Sequence, residues 1–231
     1  MVKHSKRYLQ AVAKVDRTKS YAPDEALKLI KSLPAAKFDE SVEIAVRLGI
    51  DPKKTDQLVR GAVSLPKGLG KTVRVVVFAE GDKAQAAKAA GADEVGAAEL
   101  ADKIMGGWMD FDIVITSPDM MKHVGKLGKV LGPQGKMPSP KSGTVTTDVA
   151  AAVKEFKAGK VEFRTDAGGT VHAALGKRSF AVEDLQANLR AFLDHVATLR
   201  PPAVKGDFFR KISVSTTMGP GVLITWELSH A

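Results

Sequence analysis

The sequence predicts a two-domain fold, part α+β and part α/β. One domain is split, with an antiparallel sheet and helices drawn from both chain ends; the other is an inserted three-layer α/β domain. Three observations predict it. Toward either end, apolar and polar residues alternate, the period of strands buried on one face only. In the middle, unbroken apolar runs (VRVVVFA at 73–79, FDIVIT at 111–116) take turns with Ala-rich helical segments, as in a parallel sheet covered on both sides. Gly-rich breaks separate the two patterns, PKGLGK at 66–71 and Gly159. The domains are therefore set at 1–67 plus 161–231 and at 68–160, joined by two crossings that read as a hinge. Three tandem pieces fit less well, because residues 1–67 supply only two long strands.

The elements follow in order. Ser5–Val15 forms a basic helix with Leu9, Val12 and Ala13 on one side. Pro23 suits the first position of a second helix, where its missing N–H would be unpaired anyway, and Pro34 stops that helix. Val42, Ile44, Val46, Leu48 and Ile50 alternate with Glu43 and Arg47, a half-buried antiparallel strand. DPKK at 51–54 turns the chain into a second strand over Leu58–Leu65. In the middle, Val73–Ala79, Asp93–Val95 and Phe111–Thr116 are strands. Asp82–Ala90, Ala98–Met105 and a segment starting at Pro118 are helices, followed by a loop and a helix over Asp148–Lys157. Past Gly159, KVEFRTD and TVHAAL are strands around the turn at Gly168–Gly169. Leu185, Leu189, Phe192, Leu193, Val196 and Leu199 make one apolar face of a helix over Val182–Leu199, ended by RPP. Phe209–Thr217 and Val222–Leu228 are strands joined by TMGPG.

Composition narrows the function. The 231 residues contain 35 Lys+Arg and 26 Asp+Glu, a net charge of +9. There is no Cys, which excludes a disulfide framework, a thiolate metal site and a Cys nucleophile. No apolar run reaches the ~18 residues of a membrane span, and MVKHSKRYLQAV lacks the apolar stretch of a signal peptide. These features point to a cytoplasmic protein with a polyanionic partner and no membrane.

The charge is unevenly placed. Residues 1–19 carry six Lys/Arg against Asp16, a net +5. Residues 80–119 carry nine acids against Lys83, Lys88 and Lys103, a net −6. From Met120 to Thr147 there is no acid, but there are Lys122, Lys126, Lys129, Lys136 and Lys141. The Gly and Pro content of that stretch reads as an exposed loop able to lie against phosphates.

Sites for chemistry are few. KGLGKT is not a phosphate loop: Leu65 stands where a glycine is needed, and the segment precedes a strand. His4, His123, His172, His195 and His230 show no metal spacing, and nothing supplies a nucleophile, base and orienter. No cofactor is expected. A Rossmann-like order over 73–124 raises the alternative of a nucleotide-binding enzyme. Against it, no Gly-rich turn follows the first strand, and EGDK at 80–83 is acidic. Gly125 and Gly128 match an RNA-clamping GxxG pattern, which is common by chance. Two polar clusters stand out instead, KFDES at 37–41 followed by Glu43, and STTMGPG at 215–221. A hydroxyl, a turn backbone and an apolar side chain together fit a folded RNA. The low aromatic content, 6%, argues against a single-strand stacking platform.

The motifs KFDESVE, LGIDPKKTDQLVRGAVSLPKGLGK, GADEVG, GWMDFDIVI, GKVLGPQGKMPSPKSGTV, VEFR and TTMGPG occur in this order over nearly the whole chain. In this the sequence closely resembles the bacterial form of the large-subunit ribosomal protein L-one family, the protein of the mobile stalk. The resemblance implies a non-enzymatic protein, monomeric when free, that joins the large ribosomal subunit. Its partners would be the stalk of large-subunit rRNA, the exit-site tRNA that it helps to move out, and its own operon mRNA, which it represses. The implied RNA surface takes Lys37, Phe38, Ser41 and Glu43 from the first cluster and Thr216, Thr217, Met218, Gly219 and Pro220 from the second. Arg164 and His172 lie on neighbouring strands, and the basic loop of the inserted domain is an auxiliary contact. Ser41 stands where Thr is commonest in the family, and keeps the hydroxyl.

Overall fold

The structure, a computed structural model, describes residues 4–226. The elements in chain order begin with α1 (Lys6–Ala13), α2 (Pro23–Ser32), β1 (Ser41–Leu48), β2 (Arg60–Ser64) and β3 (Val75–Phe78). Next come α3 (Gly81–Ala89), β4 (Glu94–Gly96), α4 (Ala98–Met105), β5 (Ile113–Thr116), α5 (Met121–Lys126) and α6 (Gly128–Leu131). The last are α7 (Val149–Ala158), β6 (Lys160–Arg164), β7 (Thr170–Lys177), α8 (Val182–Thr198), β8 (Phe209–Thr216) and β9 (Val222–Ile224). Two compact units result, Met1–Gly70 with Val161–Ala231, and Lys71–Lys160.

In the first unit a four-stranded antiparallel sheet runs β7-β1-β8-β9. Val42, Ile44, Val46 and Leu48 of β1 all turn to one face, as their alternation requires. There they meet Leu27 and Ile30 of α2 and Leu185, Leu189, Phe192 and Val196 of α8. The opposite face carries Glu43, Ala45 and Arg47, with Ser213 and Ser215 of β8 beside them in register. β2 spans only Arg60–Ser64, shorter than the sequence pattern, and pairs with β6 in a sheet of two strands. Past Ile224, β9 gives way to a backbone exchange with Tyr21, whose carbonyl accepts the Thr225 N–H. The remainder of the strand expected over Val222–Leu228, Glu227 and Leu228, lies outside the described residues, as does His230. Asn188, buried in α8, accepts the Lys67 N–H at 3.0 Å and donates to the carbonyls of Gly68 at 3.0 Å and Leu175 at 2.7 Å. It thereby fixes the stretch where this unit's first segment ends.

In the second unit three parallel strands run β4-β3-β5. β3 is buried on both sides: Val75 and Val77 pack with α3 and α7, while Val76 and Phe78 pack with α4, α5 and α6. A helix forms at Met121–Lys126, as expected of the segment starting at Pro118, but a second short helix follows it where the Gly and Pro content predicts an exposed loop. Residues 121–126 and 128–131 are helical, because Val124, Leu127 and Leu131 recur at helical spacing and are all fully buried. Among the described residues no helix is long and apolar enough to cross a membrane.

Candidate nucleic-acid interface

β1 and β8 are neighbours with Val42 opposite Thr216, so the start of one strand lies beside the end of the other. This brings together the two polar clusters. The Thr217 N–H donates to the Ser41 carbonyl at 3.0 Å, and the Ser41 N–H donates to Thr217 Oγ1 at 3.0 Å. Lys177, opposite Ser41 on β7, donates to its hydroxyl at 3.1 Å.

Glu40 holds the arrangement. It is 0% exposed. Its Oε1 accepts the Ala36 N–H at 2.7 Å, with Arg178 Nη1 at 3.4 Å and Arg7 Nη1 at 3.5 Å. Its Oε2 accepts the Met218 N–H at 3.0 Å, and the Thr216 hydroxyl also bonds the carboxylate. Burial alone would raise the Glu40 pKa. The donations from Ala36, Thr216 and Met218, with the Arg7 charge, outweigh it and hold the carboxyl below its ordinary value. The two arginines reach further. Arg7 donates to the carbonyls of Pro34 at 3.3 Å and Met218 at 3.2 Å, and Arg178 to those of Lys31 and Leu33. One carboxylate thus ties α1, the segment after α2, the turn after β7 and the turn after β8 into one support.

On that support two apolar side chains stand in solvent, Phe38 at 55% exposed and Met218 at 51%. Phe38 is therefore not part of the core. Lys37, Glu43 and Thr217 are exposed beside them, and Ser41 is half-buried. Exposed apolar groups on a pinned polar platform suit a partner that supplies flat apolar surface and donors, as unstacked RNA bases do.

Four of the expected RNA contacts are placed differently. Thr216 is 4% exposed and turns its hydroxyl to Glu40; Pro220 is buried too. Both support the turn from within, because the ends of β8 and β9 pack on the core. His172 points from β7 on the outer sheet face, opposite Ala45 and 3.6 Å from Asp166. That is four residues along β1 from Ser41, roughly 13 Å at about 3.3 Å per residue. Arg164 is exposed on β6, which belongs to the other sheet. Gly219 serves the turn, since a Cβ there would overlap the Thr216 hydroxyl. Sequence reasoning missed Glu40, Arg7, Arg178 and Lys177. Glu40 sits among charged residues in KFDES, and nothing local separates a buried carboxylate from its exposed neighbours Asp39 and Glu43.

In the second unit Lys122, Lys126, Lys129 and Lys141 are exposed. Lys136 is half-buried and engaged within the unit: its amine donates to the Phe111 carbonyl at 2.6 Å and lies 4.8 Å over the Phe111 ring. Among the described residues no group of His, Asp and Glu is arranged to hold a metal.

Residues 29–220 match the model of the Ribosomal protein L1p/L10e family. The chain is similar to a protein of Bordetella pertussis named "Large ribosomal subunit protein uL1", 59% identical over 97% of each chain. Proteins of the same name from Kosmotoga olearia and Cutibacterium acnes are 55% and 57% identical, each over 96% of both chains.

Proposed function

The chain belongs to the Ribosomal protein L1p/L10e family, and from that premise we propose that it is a structural, non-enzymatic component of the large ribosomal subunit in the cytoplasm. Within the subunit it binds the stalk region of large-subunit rRNA near the tRNA exit site and helps to move deacylated tRNA out. It represses its own operon mRNA through a similar RNA structure, and is a monomer when free.

One observation carries this reading. Phe38 and Met218, 180 positions apart in sequence, are both exposed, and the segments that carry them are tied together by the Ser41–Thr217 pair and by the bond from the Met218 N–H to the Glu40 carboxylate. An exposed Phe and Met beside hydroxyls and turn backbone offer apolar surface that unstacked bases can cover. Lys122, Lys126, Lys129 and Lys141 add phosphate contacts that strengthen binding without choosing the sequence. The nucleotide-enzyme alternative is set aside: the family is one of ribosomal proteins, and β3 leads through Glu80 and Asp82, carboxylates that repel phosphate.

The test is a binding titration against a stalk rRNA fragment and a random RNA duplex, at two salt concentrations. Met218→Asp should weaken stalk binding by about 1–3 kcal/mol, the cost of a poorly satisfied polar group in a closed interface. Equal affinity for both RNAs would overturn the reading.

A further inference from the structure

We propose that the corner between α5 and α6 is a second nucleic-acid site, a clamp for the sugar–phosphate backbone of single-stranded RNA, built from Gly125, Gly128, Lys122, Lys126 and Lys129. It rests on the reading of this chain as an RNA-binding protein, and deepens it by naming the single-stranded backbone as what Lys122, Lys126 and Lys129 grip together with the two glycines.

The glycines start the argument. Gly125 lies in α5 and Gly128 opens α6, both without a positive φ, in backbone that any residue adopts. Gly is the poorest helix former after Pro, so neither position is favoured by local structure. Packing does not require them either, since a Cβ at Gly125 or Gly128 would meet nothing within 4 Å. Other glycines nearby are explained: a Cβ at Gly132 would overlap the Gly128 carbonyl, and Gly143 has a φ of +71. What distinguishes Gly125 and Gly128 is bare backbone facing open space, which lets another backbone come close.

The surroundings say what would come close. Lys122, Lys126 and Lys129 are exposed at i, i+4 and i+7, and form no ion pair among the described residues. Like charges at this spacing repel each other unless a polyanion faces them. No acid stands between Met120 and Thr147 to weaken that attraction. The corner is also held firmly. Val124, Leu127 and Leu131 are fully buried beneath it, and the Leu127 N–H donates to the Val124 carbonyl at 2.9 Å. A Gly-x-x-Gly segment with cations is the means by which one class of RNA module grips the backbone of a single strand.

The experiment uses the full chain and a short labelled oligouridylate, read by fluorescence anisotropy, with unlabelled RNA duplex as competitor. Gly125→Ala with Gly128→Ala should leave the melting temperature unchanged or raised, since Ala favours helix and has room. The same variant should lose about tenfold or more in oligouridylate affinity, the scale of one charge-assisted contact. Lys126→Ala with Lys129→Ala should reduce the slope of log affinity against log salt by about 1.4, two contacts at ~0.7 each. Unchanged oligouridylate affinity in the glycine variant, or duplex competing as well as single strand, would overturn the clamp. The Met218→Asp variant keeps the two proposals apart. Loss of stalk-RNA binding with oligouridylate binding intact supports both. Intact stalk-RNA binding in that variant sinks the first surface and leaves the clamp to be judged by the glycines.

Discussion

Replacing Glu40 by Gln should destabilise the first unit by about 2–4 kcal/mol at neutral pH. The carboxylate accepts two backbone N–H groups, at 2.7 and 3.0 Å, plus the Thr216 hydroxyl, and lies 3.4 and 3.5 Å from two guanidinium nitrogens. Gln keeps the shape but turns one oxygen into an NH2 donor. Whichever way the amide points, either the Ala36 or the Met218 N–H faces another donor. A buried group left so costs about 1–3 kcal/mol. Removing one partner of a buried ion pair costs about 3–5 kcal/mol. Arg7 and Arg178 are partly reached by solvent, which recovers some of that loss and sets the lower range. The assay is urea unfolding followed by Trp226 fluorescence in a Trp108→Phe background, because each unit holds one of the two tryptophans. The pH dependence gives a second reading. The Glu40 carboxyl is held below its ordinary 4.5 in the folded state. Its contribution is therefore present above about pH 4.5 and is lost as the pH falls through the lowered value. The Gln variant has no such contribution to lose, so the gap between the two proteins narrows in acid. A gap under about 1 kcal/mol at neutral pH, less than one unsatisfied group, or a gap constant into acid, would refute the reasoning.

Phe38→Ala should change stability by less than about 0.5 kcal/mol, as for an exposed side chain, while stalk-RNA affinity falls by about 1–3 kcal/mol, the worth of an aromatic contact to a base; melting curves and anisotropy report the two. Gly219→Ala forces a Cβ onto the Thr216 hydroxyl and so disturbs its bond to Glu40. Denaturation should show a loss of about 1–3 kcal/mol, and RNA binding should weaken with it because Met218 is carried on the same turn. Lys136→Met removes the amine from the Phe111 carbonyl. It should cost about 1–3 kcal/mol of stability with an unchanged salt slope, and a reduced slope would return Lys136 to the phosphate-contacting set.

Much of the fold is readable because the periods are local. The alternation over 42–48 shows which face of β1 is buried, and the unbroken run over 75–78 shows that β3 is covered on both sides. The stretch after Val124 misleads because its glycines and prolines dilute a helical spacing carried by only Val124, Leu127 and Leu131. Thr216 and Pro220 stand in the same motif as Thr217 and Met218, and only strand packing decides which of them turn inward.

By itself the sequence determined the mixed fold class, the acid-free basic stretch and the two polar clusters, since each is a property of neighbouring residues. The tertiary structure alone decided that the clusters meet. It also decided that Glu40 rather than a lysine organises them, and that Phe38 and Met218 remain in solvent. The reason is physical: a bond between residues 40 and 218 is made by the pairing of β1 with β8, and no local period encodes which distant strand will lie alongside.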